Sequence, residues 1–419
     1  MSLRIENVHI CSPGSELHGQ TAVAIENGVF ADAKSTKTDA THDGQGFWLF
    51  PGLLDLRAHL REPGLEHKGT MASETRAAVA GGVTTVVTTP NTDPVVDSPA
   101  DVRLVLERGA AQGHCRVLPT AMLTQGGQGS HLSEMAALME AGCVALSQGN
   151  RPFASQKIQY NALKYAASLG ITVFLDSECR DFTGGCAHAG HVGTGLGLSL
   201  NSPLSETLGL AADLELVEAT GVRAHFSRLT TQRSVERIRN AKARGLPVSC
   251  DVTLSHLLYS ELDLVDLNPL FHLERPLRTC ADRDALRAGV VDGTVDAIIT
   301  DHSPHEPGAK LAPFPETEPG MSLLDSTLPL LWKLSRDADL PIERLIEAMS
   351  RRPAQLINQD HLGQIRVGAI ADCVLFDASS HSELTPQGIR SSGHNNPVLN
   401  HRLEGCLSQV WVSGRPVQG

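Results

Sequence analysis

The stretch VTTVVTTP at residues 83–90 decides the fold, because it is a short β-branched run typical of a buried strand. It is followed by VRLVLERGAAQG (102–113), a helical stretch, and then by CRVLPTAML (115–123), a second strand-like run. A strand, a helix and a strand in this order indicate a βαβ unit and a parallel sheet.

The same alternation continues along the chain in both directions. Strand candidates before residue 305 lie at residues 53–56, 83–90, 115–123, 143–147, 171–176, 222–227, 246–253 and 295–302. Parallel strands in this number, separated by helices, predict a (β/α)₈ TIM-like barrel whose functional site lies where the strands end. Further helices are predicted at 322–336 and 342–357.

Short strands also occur at both ends of the chain. SLRIENVHI, TAVAIENGVF and GFWLF lie within the first fifty residues, and ADCVLFDA (371–378) and LSQVWVSGRPV (407–417) lie near the last. We therefore predict a composite β domain from residues 1–50 and 360–419, beside a barrel at 51–359.

Composition restricts the class of protein. The chain has 419 residues, 41% hydrophobic and 20% charged, which is typical of globular proteins. A net charge of -12 argues against a nucleic-acid-binding surface, which needs clustered Lys and Arg. The sequence has no apolar run of about 18 residues and no signal-peptide pattern, and its nine scattered cysteines suit free thiols in a reducing compartment. We expect a cytoplasmic protein that binds neither nucleic acid nor a membrane.

Polar residues that can carry chemistry follow several predicted strands. Arg57, His59 and Arg61 alternate in PGLLDLRAHLREPG (51–64), and Asp301 and His305 follow the eighth strand in ITDHSPH (299–305). An Asp at a strand end is a metal ligand, a general base for a metal-bound water, or a cap of the next loop. A histidine there is either a ligand or a structural residue. The Gly- and Pro-rich stretch at 307–320 is either a lid over the site or a surface loop.

Five motifs in this chain resemble those of dihydroorotases, in the cyclic amidohydrolase superfamily. They are PGLLDLRAHLREPG, AGGVTTVVTTPNTDPV (80–95), RAHFS (223–227), ITDHSPH and GQIRVGAIADCVLFD (363–377). The resemblance implies an amidohydrolase barrel with a β domain from both termini. It also implies an enzyme that uses two zinc ions to activate water for the reversible opening of dihydroorotate to N-carbamoyl-aspartate.

The resemblance fails at the metal ligands. The family's His-x-His reads Arg57-Ala58-His59 here, and an arginine has no lone pair to give a metal. Gln148 and Gly149 stand where the family motif SDDGRP has carboxylates. Asp176 stands where relatives have a histidine, and it stays open as a ligand because its oxygens can bind zinc.

By this resemblance, the remnant ligands are His59, His225 and Asp301, and Asp301 is a vestigial general base. His188 and His191 are alternative ligands from a loop. We predict no bound zinc, or at most one weakly bound ion, because Arg57 also repels cations.

The predicted substrate side is better preserved, since Arg61, Asn91 and His305 match residues that hold the carboxylate of dihydroorotate in relatives. The prediction is an impaired or inactive dihydroorotase-like protein that assembles with aspartate carbamoyltransferase, with itself, or with both. A small carboxylate is a further expected ligand. The alternative is an active dihydroorotase, or a related cyclic-amide hydrolase, with an atypical or single-metal site.

Overall fold

The computed structural model describes residues 2–34 and 36–418. Six strands precede the barrel: β1 (Ser2–Glu6), β2 (His9–Ile10), β3 (Ala22–Glu26), β4 (Val29–Ala31), β5 (Ala40–Asp43) and β6 (Trp48–Pro51). The barrel strands and two short strands follow: β7 (Leu53–Ala58), β8 (Val83–Thr88), β9 (Arg116–Met122), β10 (Ala145–Ser147), β11 (Thr172–Leu175), β12 (Ala187–His188), β13 (Leu200–Asn201), β14 (Arg223–Phe226), β15 (Val248–Thr253) and β16 (Ala297–Ile299). Three strands end the chain: β17 (Cys373–Glu383), β18 (Arg402–Val412) and β19 (Arg415–Val417).

The helices lie mostly between the barrel strands. They are α1 (Met71–Ala80), α2 (Pro99–Gln112), α3 (Met135–Glu140), α4 (Gln156–Ser168), α5 (His191–Gly195), α6 (Leu204–Thr220), α7 (Gln232–Ala243), α8 (Leu254–Leu258), α9 (Cys280–Asp292), α10 (Thr327–Asp337), α11 (Ile342–Ala348) and α12 (Arg351–Leu356). Several begin at a side-chain cap. Ser98, for example, accepts a hydrogen bond from the backbone of Asp101, while Pro99 occupies the first turn of α2.

The central sheet is the predicted barrel. Its strands are parallel, in the order β16-β15-β14-β11-β10-β9-β8-β7, and all eight match predicted strands. Strands such as β7, β8 and β15 are buried along their whole length, because helices cover one face and the barrel interior the other. The barrel nearly closes between β7 and β16, where Ala58 forms a parallel bridge with His302.

Two helix predictions need correction. The predicted α-helix at 322–336 begins only at Thr327, because Leu324–Ser326 form a tighter 3-10 turn in which Asp325 accepts a hydrogen bond from the backbone of Arg390. The predicted helix at 342–357 is two helices, α11 and α12. The break occurs where the carbonyl of Met349 accepts a hydrogen bond from the backbone of Leu54 in the barrel.

Strands from both chain ends pair beside the barrel. A five-stranded sheet has the order β19-β18-β17-β6-β2, and a four-stranded sheet has the order β4-β3-β1-β5. Ile5, Phe30, Leu49 and Trp411 form part of a buried apolar cluster shared by these strands. No helix in the described part of the chain is long and apolar enough to cross a membrane.

Candidate active site

A cavity of about 260 Å³ lies at the carboxyl ends of the barrel strands, which we call the barrel mouth. Five residues predicted from the sequence line it together: His59, Arg61, Asn91, Asp301 and His305. Other polar residues also line the cavity, including Lys68, Arg228, Glu274, Arg275 and Glu318. The cavity therefore collects side chains that follow different strands, as the barrel fold requires of a functional site.

Arg57 lies near the end of β7 and is not itself among the residues that line the cavity. Its Nε donates to Oδ1 of Asp301 at 2.9 Å, and its Nη1 donates to Oδ2 of Asp176 at 2.9 Å. Only 5% of Arg57 is exposed. Nη2 is buried and has no hydrogen-bond partner among the described residues. The charge expected to repel cations is thus balanced by two aspartates.

Arg228 completes the arrangement from the other side. Its Nε donates to Oδ1 of Asp176 at 3.0 Å, and its Nη1 lies 3.4 Å from Oδ2 of Asp301. Nη1 also donates to Glu274 at 2.6 Å. Each aspartate therefore contacts both arginines, and we call these four residues, Arg57, Asp176, Arg228 and Asp301, the arginine–aspartate ring.

The ring controls the ionisation of Asp176. Burial by itself raises the pKa of this carboxyl, but Arg228, Arg57 and Arg275 together outweigh burial and leave the pKa below its ordinary value. Arg228 likewise lowers the pKa of Glu274. Asp176 is therefore a charged partner of the arginines at neutral pH.

The histidines of the cavity are uncharged at neutral pH. Burial, and then Arg61 and Arg57, lower the pKa of His59 well below its ordinary value. Burial and Arg61 lower the pKa of His305 to about 3. Nδ1 of His59 lies 3.0 Å from the hydroxyl of Thr89, whereas its Nε2 is 3.9 Å from Asp301, too far for a hydrogen bond.

The predicted carboxylate-binding residues lie on one side of the cavity. Nε of Arg61 donates to the carbonyl of Pro304 at 3.2 Å, and Nη2 lies 3.3 Å from Nε2 of His305. Oδ1 of Asn91 and Nδ1 of His305 are buried and have no hydrogen-bond partner within the part of the chain that the structure describes. These atoms are available to a polar ligand, while the substrate role of the three residues stays a prediction.

His225 belongs to a different hydrogen-bonded group. Its Nε2 lies 2.9 Å from Oδ2 of Asp251 and its Nδ1 lies 2.8 Å from the hydroxyl of Ser249, and the side chain is fully buried. Because a carboxylate only accepts hydrogen bonds, Nε2 carries a proton, and both nitrogens are engaged. The role of His225 as a remnant ligand stays a prediction, and this geometry does not favour it.

The residues at the expected carboxylate position are also engaged elsewhere. Gln148 accepts a hydrogen bond from Thr124 at 3.0 Å and donates to the carbonyl of Gly127 at 3.2 Å. Gly149 has φ 61°, and a Cβ there would lie 2.3 Å from Oδ1 of Asn91. A side chain at position 149 therefore does not fit this backbone.

The loop residues considered as alternatives have separate positions. His188 lies in β12, with Nδ1 3.4 Å from Nη1 of Arg278, and His191 begins α5. The stretch 307–320 contributes Glu318, Pro319 and Gly320 to the cavity wall. Its last residues therefore cover part of the site.

Sequence comparisons agree with the motifs. The profile of a family described as dihydro-orotase-like matches residues 46–234. A dihydroorotase-like protein of Pseudomonas aeruginosa is 42% identical over 419 residues, covering 99% of each chain. A dihydroorotase of Trichlorobacter lovleyi is 34% identical, covering 100% of this chain and 99% of that protein.

The chain belongs to the dihydroorotase family. Solved structures agree on the fold: an L-hydantoinase (dihydropyrimidinase) from Arthrobacter aurescens has a TM-score of 0.89 at 20% identity, covering 100% of this chain and 96% of its own. A D-hydantoinase from Thermus sp. has a TM-score of 0.82 at 20% identity, covering 99% and 94%.

The residues of this dihydroorotase-family chain do not fit a dinuclear zinc centre. In residues 2–34 and 36–418, no group of three or more His, Cys, Asp or Glu side chains is arranged to hold a metal ion. Asp176 and Asp301, which have suitable oxygens, are bound to Arg57 and Arg228 instead. A guanidinium has no lone pair to offer and stays protonated, so the arginines hold these carboxylates away from metal.

Sequence reasoning missed Arg228, Glu274 and Arg275. Arg228 directly follows the dihydroorotase-like motif RAHFS, and Glu274 and Arg275 lie in the segment between β15 and α9. Arg228 could have been predicted as a site residue, because a charged residue just after a barrel strand lies at the functional end of the barrel. Its partners were not predictable, because Asp176 and Glu274 lie 52 and 46 residues away in the chain.

Proposed function

We propose that this chain is a dihydroorotase-like protein that does not hydrolyse dihydroorotate and that acts as a structural partner of aspartate carbamoyltransferase. One observation carries the first part: the guanidinium of Arg57 lies between Asp176 and Asp301 and donates to both. Asp301, the carboxylate that the resemblance assigns to metal binding or proton transfer, and Asp176, which stands where relatives have a histidine, are both bound to arginine.

The chemistry explains why this matters. A neutral amide is a poor electrophile and water is a poor nucleophile, so hydrolysis needs a group that polarises the carbonyl and a group that removes a proton. Asp301 accepts a hydrogen bond from Arg57 at 2.9 Å and lies 3.4 Å from Arg228, so both of its oxygens already face guanidinium groups. We therefore expect neither the polarisation of the carbonyl nor the removal of the proton from water to be effective.

The partner role is supported by the resemblance to dihydroorotase-like subunits that accompany aspartate carbamoyltransferase. The chain keeps a complete barrel and β domain although its metal-ligand positions are altered. This pattern favours a function that depends on its surface. Sedimentation of the two proteins, separately and mixed at micromolar concentration, tests this role. A new, faster species is expected in the mixture, and two unchanged boundaries would contradict the partnership.

A second candidate function is hydrolysis with an atypical or single-metal site. The observation in its favour is that Arg61, Asn91 and His305 line one cavity with His59 and Asp301. Zinc analysis of protein purified without chelators, together with a dihydroorotate turnover assay, separates the two functions. Stoichiometric zinc together with turnover supports the hydrolase. The absence of both zinc and turnover supports the non-catalytic protein.

A further inference from the structure

The arginine–aspartate ring joins elements that are far apart in the sequence. Arg57 ends β7, Asp176 follows β11, Arg228 follows β14 and Asp301 follows β16. These are the first, fifth, sixth and eighth strands of the barrel in chain order. The ring therefore connects their carboxyl ends across the barrel mouth.

One contact of the ring crosses the place where the barrel closes. Between β7 and β16 the backbone contributes the bridge of Ala58 with His302 and a hydrogen bond of 2.8 Å from the backbone of His59 to the carbonyl of His302. The ion pair of Arg57 with Asp301 spans the same junction at 2.9 Å. Side-chain charge thus reinforces the part of the barrel where backbone pairing is sparse.

The charges of the ring are buried and balanced. The side chains of Arg57, Arg228 and Asp176 are 6%, 3% and 3% exposed, and that of Asp301 is 22% exposed. Within the ring two guanidinium groups face two carboxylates, and each carboxylate contacts both cations. Outside the ring, Arg228 also pairs with Glu274 at 2.6 Å, and Arg275 lies 4.0 Å from Asp176. Two cations that share carboxylate ligands can link the strands around a site, as bound metal ions do. Here the cations are side chains of the protein itself.

The backbone is also constrained at the ring. Arg228 has φ 59° and Asp301 has φ 50°, both in the left-handed region that residues other than glycine seldom adopt. Such conformations persist where the surroundings determine them. The backbone N–H of Arg228 donates to Asp251 at 2.6 Å, so this residue is fixed by both its backbone and its guanidinium.

We propose that the guanidinium groups of Arg57 and Arg228 act as built-in cations that replace divalent metal ions as the structural clasp of the barrel mouth. The proposal shares with the proposed function only the premise that this site binds no metal. It concerns the stability of the fold, so it is tested by unfolding and not by turnover. If the protein hydrolyses dihydroorotate but adding or removing metal does not change its Tm, the proposed function is contradicted while the structural clasp is not.

The first experiment uses the unaltered protein. Thermal unfolding is measured after treatment with a chelator, and again with added zinc chloride. Because arginine stays charged and cannot be removed by a chelator, the two Tm values are expected to agree within about 1 °C. A chelator-induced fall in Tm that zinc reverses would overturn the proposal.

The second experiment removes one cation. Arg57→Gln leaves Asp176 and Asp301 with one arginine fewer, and we expect Tm at pH 8 to fall by about 5 °C.

Arg244→Gln is the matched control, because Arg244 pairs with Glu218 where both side chains are at least half exposed. It is expected to stay within about 1 °C of the parent protein at pH 8. Arg57→Lys keeps the charge but lacks the planar fork, and an intermediate Tm is expected; it also serves if Arg57→Gln does not fold. A Tm of Arg57→Gln or Arg57→Lys equal to that of the parent protein would overturn the proposal.

Discussion

Two buried aspartates beside the barrel mouth are expected to respond in opposite ways when they lose their charge. Asp176 accepts from Arg57 at 2.9 Å and from Arg228 at 3.0 Å, and its side chain is 3% exposed. Asp213 is 8% exposed and accepts from Ser177 at 2.6 Å and Gln159 at 2.7 Å. The variants Asp176→Asn and Asp213→Asn therefore compare an ion-paired carboxylate with one bound by neutral donors.

The magnitudes follow from these partners. Asp176→Asn removes one of the carboxylates that Arg57 and Arg228 contact and leaves them Asp301 and Glu274; removing one partner of a buried ion pair costs about 3–5 kcal/mol. For a chain of this length that corresponds to a fall in Tm of about 4–5 °C. Asp213→Asn keeps an oxygen for Gln159, while the hydroxyl of Ser177 can turn to accept, so we expect a change of about 1 kcal/mol or less.

The pH dependence separates the two variants further. The pKa of Asp176 is lowered in the folded protein, so its contribution to stability is present above the ordinary Asp pKa and is lost as pH falls through the lowered value. Burial raises the pKa of Asp213, so its contribution is present at low pH and is lost as pH rises through the raised value. Asp213→Asn should accordingly gain stability relative to the parent protein as pH rises.

Urea unfolding of the parent protein and both variants between pH 5 and pH 8 measures these differences. We expect Asp176→Asn to be strongly destabilised at every pH between 5 and 8, because Asp176 stays ionised throughout this range. Equal destabilisation of the two variants, or an Asp176→Asn variant as stable as the parent, would refute the assignment of Asp176 to the arginine–aspartate ring.

Three further predictions concern individual positions. Gly149→Asp should lower Tm without adding zinc affinity, because φ 61° is strained for a residue with a Cβ and the new Cβ would force Oδ1 of Asn91, 2.3 Å away, to move; Gly149→Ala should lower Tm similarly, and a stable, zinc-binding Gly149→Asp would contradict this expectation. Arg57→His should give no turnover of dihydroorotate in a spectrophotometric assay, because Arg228 still binds Asp176 and Asp301; recovered turnover would show that Arg57 alone blocks the chemistry. Thiol labelling of the native protein at pH 8 should be fastest at Cys179 and Cys280, which are partly exposed, and slower at Cys406, whose pKa burial raises. It should be slowest at Cys115 and Cys143, whose pKa burial raises to about 12; rapid labelling of these two thiols would contradict the packing.

The barrel was predictable because its strands are buried on both faces. Runs such as VTTVVTTP form β8 with all six residues buried, and polar or glycine-rich segments separate one run from the next. Helix ends were less predictable where tertiary contacts intervene. The hydrogen bond from Leu54 to Met349 breaks a helical pattern that the local sequence favours.

The candidate site was predictable only in part. His59, Asn91 and Asp301 could be placed at the barrel mouth because each follows a strand. The sequence also indicated that Arg57 cannot bind a metal. It could not indicate that Arg57 and Arg228 share Asp176 and Asp301, since this depends on how distant strands are arranged around the barrel. The partner and the metal content stay predictions.

The most direct test of the central claim is anomalous diffraction at the zinc absorption edge, from crystals grown with excess zinc chloride. We predict continuous electron density for the side chains of Arg57 and Arg228, in contact with Asp176 and Asp301, and no anomalous peak among these four residues. Two anomalous peaks at this position, with the arginines displaced, would contradict it.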